Sequence, residues 1–371
     1  MESILVIGVH TRPAVFSAKA MGMKVYSVDY FGSVDIKSAA DVSRSIIQQE
    51  PGVSMGRISD NYSDSKLEQL SRDIDVDRIV LTSTLLLDRK SVGTPPKKMK
   101  LIKDKTWQLK RAEELGVPVP KWVVVNSKVD VVEAAEGLGY PLVLKPAVGD
   151  GGKGVILIRN AEEIQDINVK SIAQEYIRGT PMSVSTLSTG SEAMAISTSI
   201  QVLGARFLNQ TGFVYCGNIV PYECDKESIH TAEAITRKFG VVGWNGVDFV
   251  DTGKGAVFME LNPRFQGTYD CVEKVYGYNI MESHIEACEG VLPEKREPRG
   301  CAVRYTLYSK YRAEVSGDLT GMTRDVPFPG VIIEPGEPIT TAITGASGMD
   351  VALKKARKIV FDVYKNYILP M

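Results

Sequence analysis

The N-terminal part of the chain alternates short apolar runs with amphipathic stretches. Residues 4–9 (ILVIGV) predict a buried strand, residues 14–21 a helix, residues 24–28 a second strand and residues 79–81 a further strand. Strands and helices in this order are typical of a parallel, doubly wound sheet. We therefore predict an α/β domain at the N-terminus.

Three polar side chains follow the first two of these strands. His10, Arg12 and Asp29 stand just after them, and ligands of doubly wound sheets bind beyond the carboxyl ends of the strands. These residues are candidates for substrate contact, with ordinary turn and capping roles as the alternative. Gly8 is not part of a G-x-G-x-x-G pattern, which argues against a dinucleotide-binding turn.

Two predicted helices in the next part of the chain end in the same way. Residues 104–115 and residues 129–138 each run into a Gly that is followed two positions later by a Pro, and this combination terminates helices. After the second helix come a strand ending in Lys145, a glycine-rich loop and a returning strand. We predict a small α+β lobe around this loop.

The loop has four glycines in six residues, namely Gly149, Gly151, Gly152 and Gly154. Successive N–H groups of such a backbone can turn toward one concavity and bind phosphate, and Lys145 and Lys153 add positive charge on either side. An ordinary turn is the alternative, because a glycine-rich hairpin alone is a weak signal. The G-x-x-x-x-G-K-[ST] pattern of a Walker-type loop is absent.

Beyond residue 180 the apolar pattern predicts a β-rich lobe followed by a mixed tail. Strands are predicted at 194–201, 213–222, 302–307 and 331–334, and helices at 228–239 and 350–364. The helix at 350–364 has a predicted buried stripe of Ala352, Ala356, Ile359 and Val363. A polar, Pro-rich segment at 292–300 marks a boundary before the tail.

Composition narrows the function classes. The net charge of −1 provides no general attraction to nucleic acid or to an acidic membrane. No apolar run approaches the roughly 20 residues of a membrane span, and five cysteines without C-x-x-C spacing argue against a disulfide framework. We predict a cytoplasmic protein. His284 and Cys288 would share a helix face, but two ligands are too few for a zinc site, which favours buried packing.

The most informative stretch is a predicted hairpin at residues 245–268. Its two β-rich runs, 246–251 and 256–261, are joined by Gly253-Lys254-Gly255. A turn centred on Lys254 places Asp248 opposite Glu260, roughly 5 Å apart at Cβ.

Two opposed carboxylates repel, so a positive group must compensate them. Strand alternation directs Asn262 and Arg264 to the same face. Asp248, Glu260 and Asn262 form an all-oxygen cluster suited to Mg²⁺, with Arg264 as an anion clamp beside it. A surface hairpin with a cross-strand ion pair is the alternative.

The spacing of Asp248 from Glu260-Leu261-Asn262-Pro263-Arg264 resembles the metal-binding hairpin of the ATP-grasp superfamily, in the branch of biotin carboxylase and carbamoyl phosphate synthase. The resemblance implies an ATP-grasp fold with α/β and α+β parts. Its expected domains are an N-terminal doubly wound domain (1–100), a small lobe with the phosphate loop (101–180), a large lobe with the metal hairpin (181–290) and a small C-terminal α+β appendage (291–371).

The same resemblance implies roles for individual residues. Asp248, Glu260 and Asn262 would hold two Mg²⁺ ions on ATP, with Mn²⁺ as an alternative ion, and Arg264 and Lys145 would act in catalysis. The nucleotide-binding residues implied in this way are Lys105, Lys145, Gly151, Gly152, Lys153, Gly154, Gln174, Glu175, Tyr176 and Ile177, the last four from a predicted strand at 172–179. Phe249 and Met259 would line the adenine slot, with core packing as the alternative.

These parts together predict an ATP-dependent ligase. A small-molecule carboxylate would be activated as an acyl phosphate and attacked by an amine or thiol, with release of ADP and phosphate. A carboxylating or kinase-like enzyme and a nucleotide-binding module without turnover are the alternatives. ATP and the two substrates are the expected partners, without nucleic acid or membrane, and a homodimer is the assembly considered.

Overall fold

A computed structural model describes residues 1–87, 89–149, 152 and 154–371. Its N-terminal sheet contains β1 (Ser3–Ile7), β2 (Lys24–Asp29), β3 (Val42–Ser45) and β4 (Arg78–Leu81), all parallel in the order β3-β2-β1-β4. The helices are α1 (Arg12–Ala20), α2 (Val34–Ala39), α3 (Ile58–Asn61) and α4 (Asp64–Ser71). The predicted parallel α/β arrangement is confirmed.

The next part is a small antiparallel lobe. It contains α5 (Pro96–Ile102), α6 (Lys105–Glu114), β5 (Trp122–Val125), α7 (Lys128–Leu138), β6 (Leu142–Pro146), β7 (Ile156–Ile158) and β8 (Ser171–Glu175), with the sheet order β5-β8-β6-β7. Asp104 caps α6 by accepting the Thr106 N–H at 2.8 Å, and Gly116 follows the helix at φ +70°. The strand predicted at 172–179 ends at Glu175, because the chain then leaves the sheet toward β9.

The large sheet combines the middle of the chain with the tail. It is built from β9 (Thr180–Ser188), β10 (Ala193–Leu203), β11 (Tyr215–Val220), β12 (Gly243–Asp251), β13 (Ala256–Asn262), β14 (Cys301–Tyr308) and β17 (Pro338–Ala346) in the order β13-β12-β9-β10-β11-β14-β17. A three-stranded sheet holds β15 (Ala313–Val315), β16 (Ile332–Ile333) and β18 (Ile368–Pro370). Helices α8 (Lys226–Phe239), α9 (Tyr269–Tyr276), α10 (Ile280–Cys288) and α11 (Met349–Asn366) complete this part.

Two predictions about the tail need correction. The strand predicted at 331–334 is only Ile332–Ile333, and β17 and its pairing with β14 were not predicted. The predicted stripe of α11 omitted Val360, which is buried, whereas Ile359 is partly buried and packs against the same core, because residues three and four positions after Ala356 lie on one helix face. The domain bounds stay predictions.

Among the described residues, no helix combines the length and hydrophobicity needed to cross a membrane. All five cysteines lie within the described ranges, and none forms a disulfide.

His284 joins the N-terminal part of the chain to the large sheet. Its Nδ1 accepts the Trp244 N–H at 2.9 Å, and its Nε2 lies 3.2 Å from the Val92 carbonyl oxygen, to which the neutral ring donates. The ring packs 4.7 Å from that of Phe265 and is 4% exposed. Burial lowers the pKa of His284 to about 4. The expected packing role is therefore correct.

This environment predicts an acid-sensitive contribution to stability. Below the ordinary histidine pKa, His284 of the unfolded chain takes up a proton, whereas the buried His284 of the folded chain stays neutral. The part of the unfolding free energy that is present above about pH 6.5 is therefore lost as pH falls toward 4. The expected loss is about 2 kcal/mol by pH 5. In His284→Gln, urea unfolding at pH 7, 6 and 5 should give a lower free energy of unfolding that changes less with pH. His230→Gln, at an exposed position on α8, should keep the wild-type slope. An unchanged slope in His284→Gln would contradict the assignment.

Candidate active site

One cavity of about 840 Å³ lies where the two lobes, the N-terminal sheet and the tail meet. Its volume is within the usual range of small-molecule sites. The cavity is lined by charged and polar residues of the lobes, namely Lys105, Lys145, Asp248, Glu260, Asn262 and Arg264. It is also lined by polar residues of the N-terminal part and the tail, including His10, Arg304 and Asp325.

The predicted hairpin forms with the expected central register. Asp248 pairs with Glu260, and Gly246 pairs with Asn262. Immediately afterwards the register shifts, so that Phe249 faces Phe258 and Met259 is the extra residue. A bulge of this kind bends the strand and redirects the side chains beside it. The prediction of a regular turn centred on Lys254 is therefore wrong beyond Asp248.

The opposed carboxylates share a small set of compensating groups. Asn262 donates its amide to Asp248 Oδ2 at 3.0 Å and to Glu260 Oε1 at 3.3 Å. Lys105 Nζ lies 3.3 Å from Glu260 Oε2. Burial and the charge of Glu260 still raise the pKa of Asp248 to about 6. The pair is thus short of positive charge.

A divalent cation fits this deficit. Among the described residues, no three His, Cys, Asp or Glu side chains come together as a metal site, so the remaining ligands would be the Asn262 oxygen, phosphate and water, a usual set for Mg²⁺. The Asn262 oxygen currently accepts from Arg264 Nη2 at 3.4 Å. The amide must turn over for this oxygen to face a cation.

Two lysines line the same cavity as the carboxylates. Lys145, at the end of β6, is 6% exposed, and burial lowers its pKa to about 8, although the charge of Glu260 opposes the shift. Lys105 donates its ammonium to the Gly149 carbonyl at the start of the glycine-rich loop. An anion such as phosphate would supply the negative charge that pairs with these lysines.

Gly152 of the glycine-rich loop lies close to the chain just before β11. Gly152 and Gly154 have φ of +76° and +75°, a conformation that favours glycine. A Cβ at Gly152 would lie 2.3 Å from the Phe213 carbonyl oxygen, just before β11. The predicted contacts of Gly151 and Lys153 lie outside the described residues.

The predicted adenine-side residues lie in different places. Gln174, Tyr176 and Ile177 line the cavity, and Gln174 Nε2 lies 3.9 Å from Met259 Sδ. Glu175 is not among the lining residues, and its carboxylate accepts the Lys121 N–H at 2.8 Å.

The two apolar candidates on the metal hairpin, Phe249 and Met259, both line the cavity. Phe249 also packs against the Phe258 ring at 6.1 Å and belongs to the core. Its position agrees both with core packing and with a place in the wall of the adenine slot.

The three N-terminal candidates also differ in their roles. His10 lines the cavity, whereas Arg12 is buried behind it in ion pairs with Asp270 and Asp325. Asp29 accepts the Gly32 N–H at 3.0 Å and stabilises a turn. Burial raises the pKa of Asp29 to about 7.

The geometry agrees with the comparison to known families. Residues 102–268 match the family model of the ATP-grasp domain.

The chain contains an ATP-grasp domain.

Three proteins are similar to longer parts of the chain. An uncharacterised protein of Methanocaldococcus jannaschii is 28% identical over 376 residues, covering 98% of this chain and 91% of that protein. The carbamoyl phosphate synthase large chain of Clostridium acetobutylicum is 23% identical over 212 residues, covering 54% of this chain and 20% of that protein.

The third is a solved structure, the biotin carboxylase domain of 2-oxoglutarate carboxylase from Hydrogenobacter thermophilus. It has a TM-score of 0.75 at 16% identity, and the match covers 99% of this chain and 90% of that one. This likeness shows the fold alone, and it confirms the predicted ATP-grasp fold across nearly the whole chain.

Several residues at the ATP-grasp cavity were not predicted. Arg304 lies within an apolar strand (CAVRYTLY), and a lone arginine in a buried strand was the one available signal. Asp325 and Tyr215 have no motif around them. Both line the cavity through contacts between distant parts of the chain.

Substituting Gly152 tests whether the loop contributes to nucleotide binding. In Gly152→Ala the methyl group meets the Phe213 carbonyl, so the loop must move and the Kd for ATP should rise at least tenfold. Gly116→Ala is the matched control, because its φ is +70° and its Cβ would meet nothing within 4 Å. Isothermal titration of both variants measures the effect. Equal ATP affinities in the two variants would contradict a role for the loop.

Proposed function

We propose that this protein is an ATP-dependent ligase that activates a small-molecule carboxylate as an acyl phosphate for attack by an amine or thiol. The observation that carries the proposal is the cluster of Asp248, Glu260, Asn262 and Arg264, which lines the same cavity as Lys105 and Lys145. Opposed sets of acidic and basic groups are what a magnesium–nucleotide complex requires of a protein.

The metal part of the proposal assigns Asp248, Glu260 and Asn262 as the residues that would hold up to two Mg²⁺ ions, with Mn²⁺ as an alternative. The bound ions would supply neutralisation of the phosphate charge. The similar biotin carboxylase domain is described in complex with MgADP, which supports magnesium as the ion.

The chain's own residues divide the remaining work. Lys105 and Lys145 would hold the phosphates, and the glycine-rich loop would cover them and exclude water. Arg264, 3.4 Å from Asn262 Oδ1, would orient the substrate carboxylate with its planar fork.

The reaction then has two displacements. A carboxylate oxygen attacks the γ-phosphorus, the bond to the ADP oxygen breaks and an acyl phosphate forms. The amine next attacks the carbonyl carbon, phosphate leaves and the nitrogen loses a proton. Arg264 would stabilise the tetrahedral oxyanion of this second step.

A carboxylating enzyme is the second candidate. Bicarbonate is named together with MgADP in the similar biotin carboxylase domain. In that case bicarbonate takes the place of the organic carboxylate at Arg264. A homodimer is also proposed, supported by the dimer described for the same domain. A cytoplasmic location stays a prediction from the cysteine pattern.

Removing an oxygen ligand should stop the reaction without unfolding the protein. Glu260→Ala and Asn262→Ala should each lower ADP release at least a hundredfold, since each side chain lies at the cavity wall rather than in the core. A coupled ADP assay and thermal unfolding together measure the two effects. Glu114→Ala, at an exposed carboxylate paired with Arg111, should behave as wild type. Turnover that survives in both site variants would exclude the metal assignment.

An acyl phosphate should be trapped by hydroxylamine. With a suitable acid, a hydroxamate should form in an ATP- and Mg²⁺-dependent way, beside ADP and phosphate. Arg264→Lys should keep most nucleotide affinity but lose at least tenfold in kcat, because a point charge cannot replace a bidentate fork.

Two outcomes would contradict this mechanism. AMP and pyrophosphate as products would indicate adenylation. ADP release that depends on bicarbonate alone, without hydroxamate from any organic acid, would favour the carboxylating alternative.

A further inference from the structure

An unusual pair of charged side chains lies outside the proposed nucleotide and metal residues. Arg304 belongs to β14, and Asp325 lies in the chain between β15 and β16. Both line the cavity, although they are distant in sequence. Neither has a role in holding the nucleotide or the metal as proposed above.

Asp325 is held in place by the N-terminal domain. Its φ of +57° is a left-handed conformation, which is uncommon outside glycine and is found mainly at Asn and Asp. The main-chain N–H of Asp325 donates to Asp35 Oδ2 at 2.8 Å. Its Oδ1 accepts from His10 Nε2 at 2.6 Å and from Arg12 Nε at 2.8 Å. The carboxylate therefore has a defined position that depends on several distant residues.

The second oxygen of this carboxylate is open. Asp325 Oδ2 accepts no hydrogen bond from the described residues, and Arg304 Nη2 lies 3.6 Å away, beyond hydrogen-bond distance. Burial disfavours the charge, yet His10 and Arg12 hold the pKa of Asp325 well below its usual range. A fixed negative charge with a free oxygen thus faces the cavity.

Arg304 has unused donors. Its Nη1 donates to the Gly267 carbonyl at 2.8 Å, and its Nη2 has two long contacts, 3.4 Å to Thr341 Oγ1 and 3.6 Å to Asp325 Oδ2. Its Nε has no partner within the described part of the chain, although the residue is 5% exposed. A guanidinium has five N–H groups, and leaving them unpaired in a buried place is unfavourable. A ligand oxygen would satisfy them.

We propose that Arg304 and Asp325 bind the α-carboxylate and α-ammonium groups of an amino acid. In an amino acid the nitrogen lies about 2.5 Å from the carboxyl carbon, so the two groups can pair side by side with hosts that are 3.6 Å apart. A simple anion would meet the repulsion of Asp325, and a simple amine that of Arg304. The zwitterion alone satisfies both.

This inference rests on the proposed function only in making the amino acid one of the two substrates that are joined. Binding itself needs no turnover. It can therefore be tested without ATP hydrolysis, and the two proposals can fail separately.

The first experiment measures binding to the full-length wild-type chain by isothermal titration, with and without MgADP. The probes are the standard L-amino acids, each beside the primary amine that lacks the carboxylate and the acid that lacks the amino group. At least one amino acid should bind ten or more times tighter than both of its analogues. If no amino acid exceeds its analogues, the proposal is overturned.

The second experiment separates the two hosts. Asp325→Asn keeps the side-chain shape and tolerates the left-handed backbone, so it should weaken the amino acid at least tenfold and leave the deaminated acid bound as well as before or better. Arg304→Lys should weaken the amino acid and the deaminated acid together, but not the amine.

Two controls accompany these variants. Asp318→Asn removes an exposed carboxylate from the same segment and should bind all probes as wild type does. ATP affinity should be unchanged in every variant, which reports an intact fold. Equal losses for acid, amine and amino acid in Asp325→Asn would mean a structural ion pair and would overturn the proposal. If a variant does not fold, the wild-type comparison still decides.

Discussion

The opposition of Asp248 and Glu260 on neighbouring strands is the constraint on which the site depends. Two carboxylates directly across a ladder repel, and burial strengthens the repulsion because the local dielectric is low. Groups from separate elements offset this repulsion: the Asn262 amide on the strand of Glu260, Lys105 from α6 and Lys145 from β6. Three elements must therefore pack correctly before the pair can be buried.

The charges of this site are not fully neutralised, and the pKa values of an acidic and a basic residue both show it. The pKa of Asp248 is raised to about 6 and that of Lys145 is lowered to about 8, so burial pushes each toward its neutral form. Lys105 alone does not neutralise the two carboxylates, and Lys145 is short of negative charge. A divalent cation bound to a polyphosphate supplies both deficits at once, which is why this arrangement favours a metal–nucleotide complex over either component alone.

Features with a local physical cause could be predicted from the sequence, whereas features that depend on long-range packing could not. Strand alternation is local, so the pairing of Asp248 with Glu260 was predicted correctly, and helix ends at Gly116 and Gly139 followed from residue type. The bulge at Met259 was not predictable, because it depends on how the hairpin packs against α6 and β9.

The positions of Arg304 and Asp325 were beyond prediction for the same reason. Arg304 is placed by the pairing of β14 with β11 and β17. Asp325 is placed by contacts with residues about 300 positions away, such as Arg12. The Glu175 carboxylate accepts the main-chain N–H of Lys121, and the nucleotide contact of Glu175 stays a prediction.

Two groups of charges at the cavity also differ in how they are balanced. In the first, the like charges of Asp248 and Glu260 lie directly opposite each other, with Lys105 Nζ 3.3 Å from Glu260 Oε2. In the second, Arg12 lies between Asp270 and Asp325, and unlike charges alternate through Arg304. Adjacent like charges favour an ion that carries several charges of the opposite sign, whereas alternating charges favour a molecule with both signs at short separation. A single cavity with these two kinds of field can therefore orient two different ligands, as the proposed joining reaction requires.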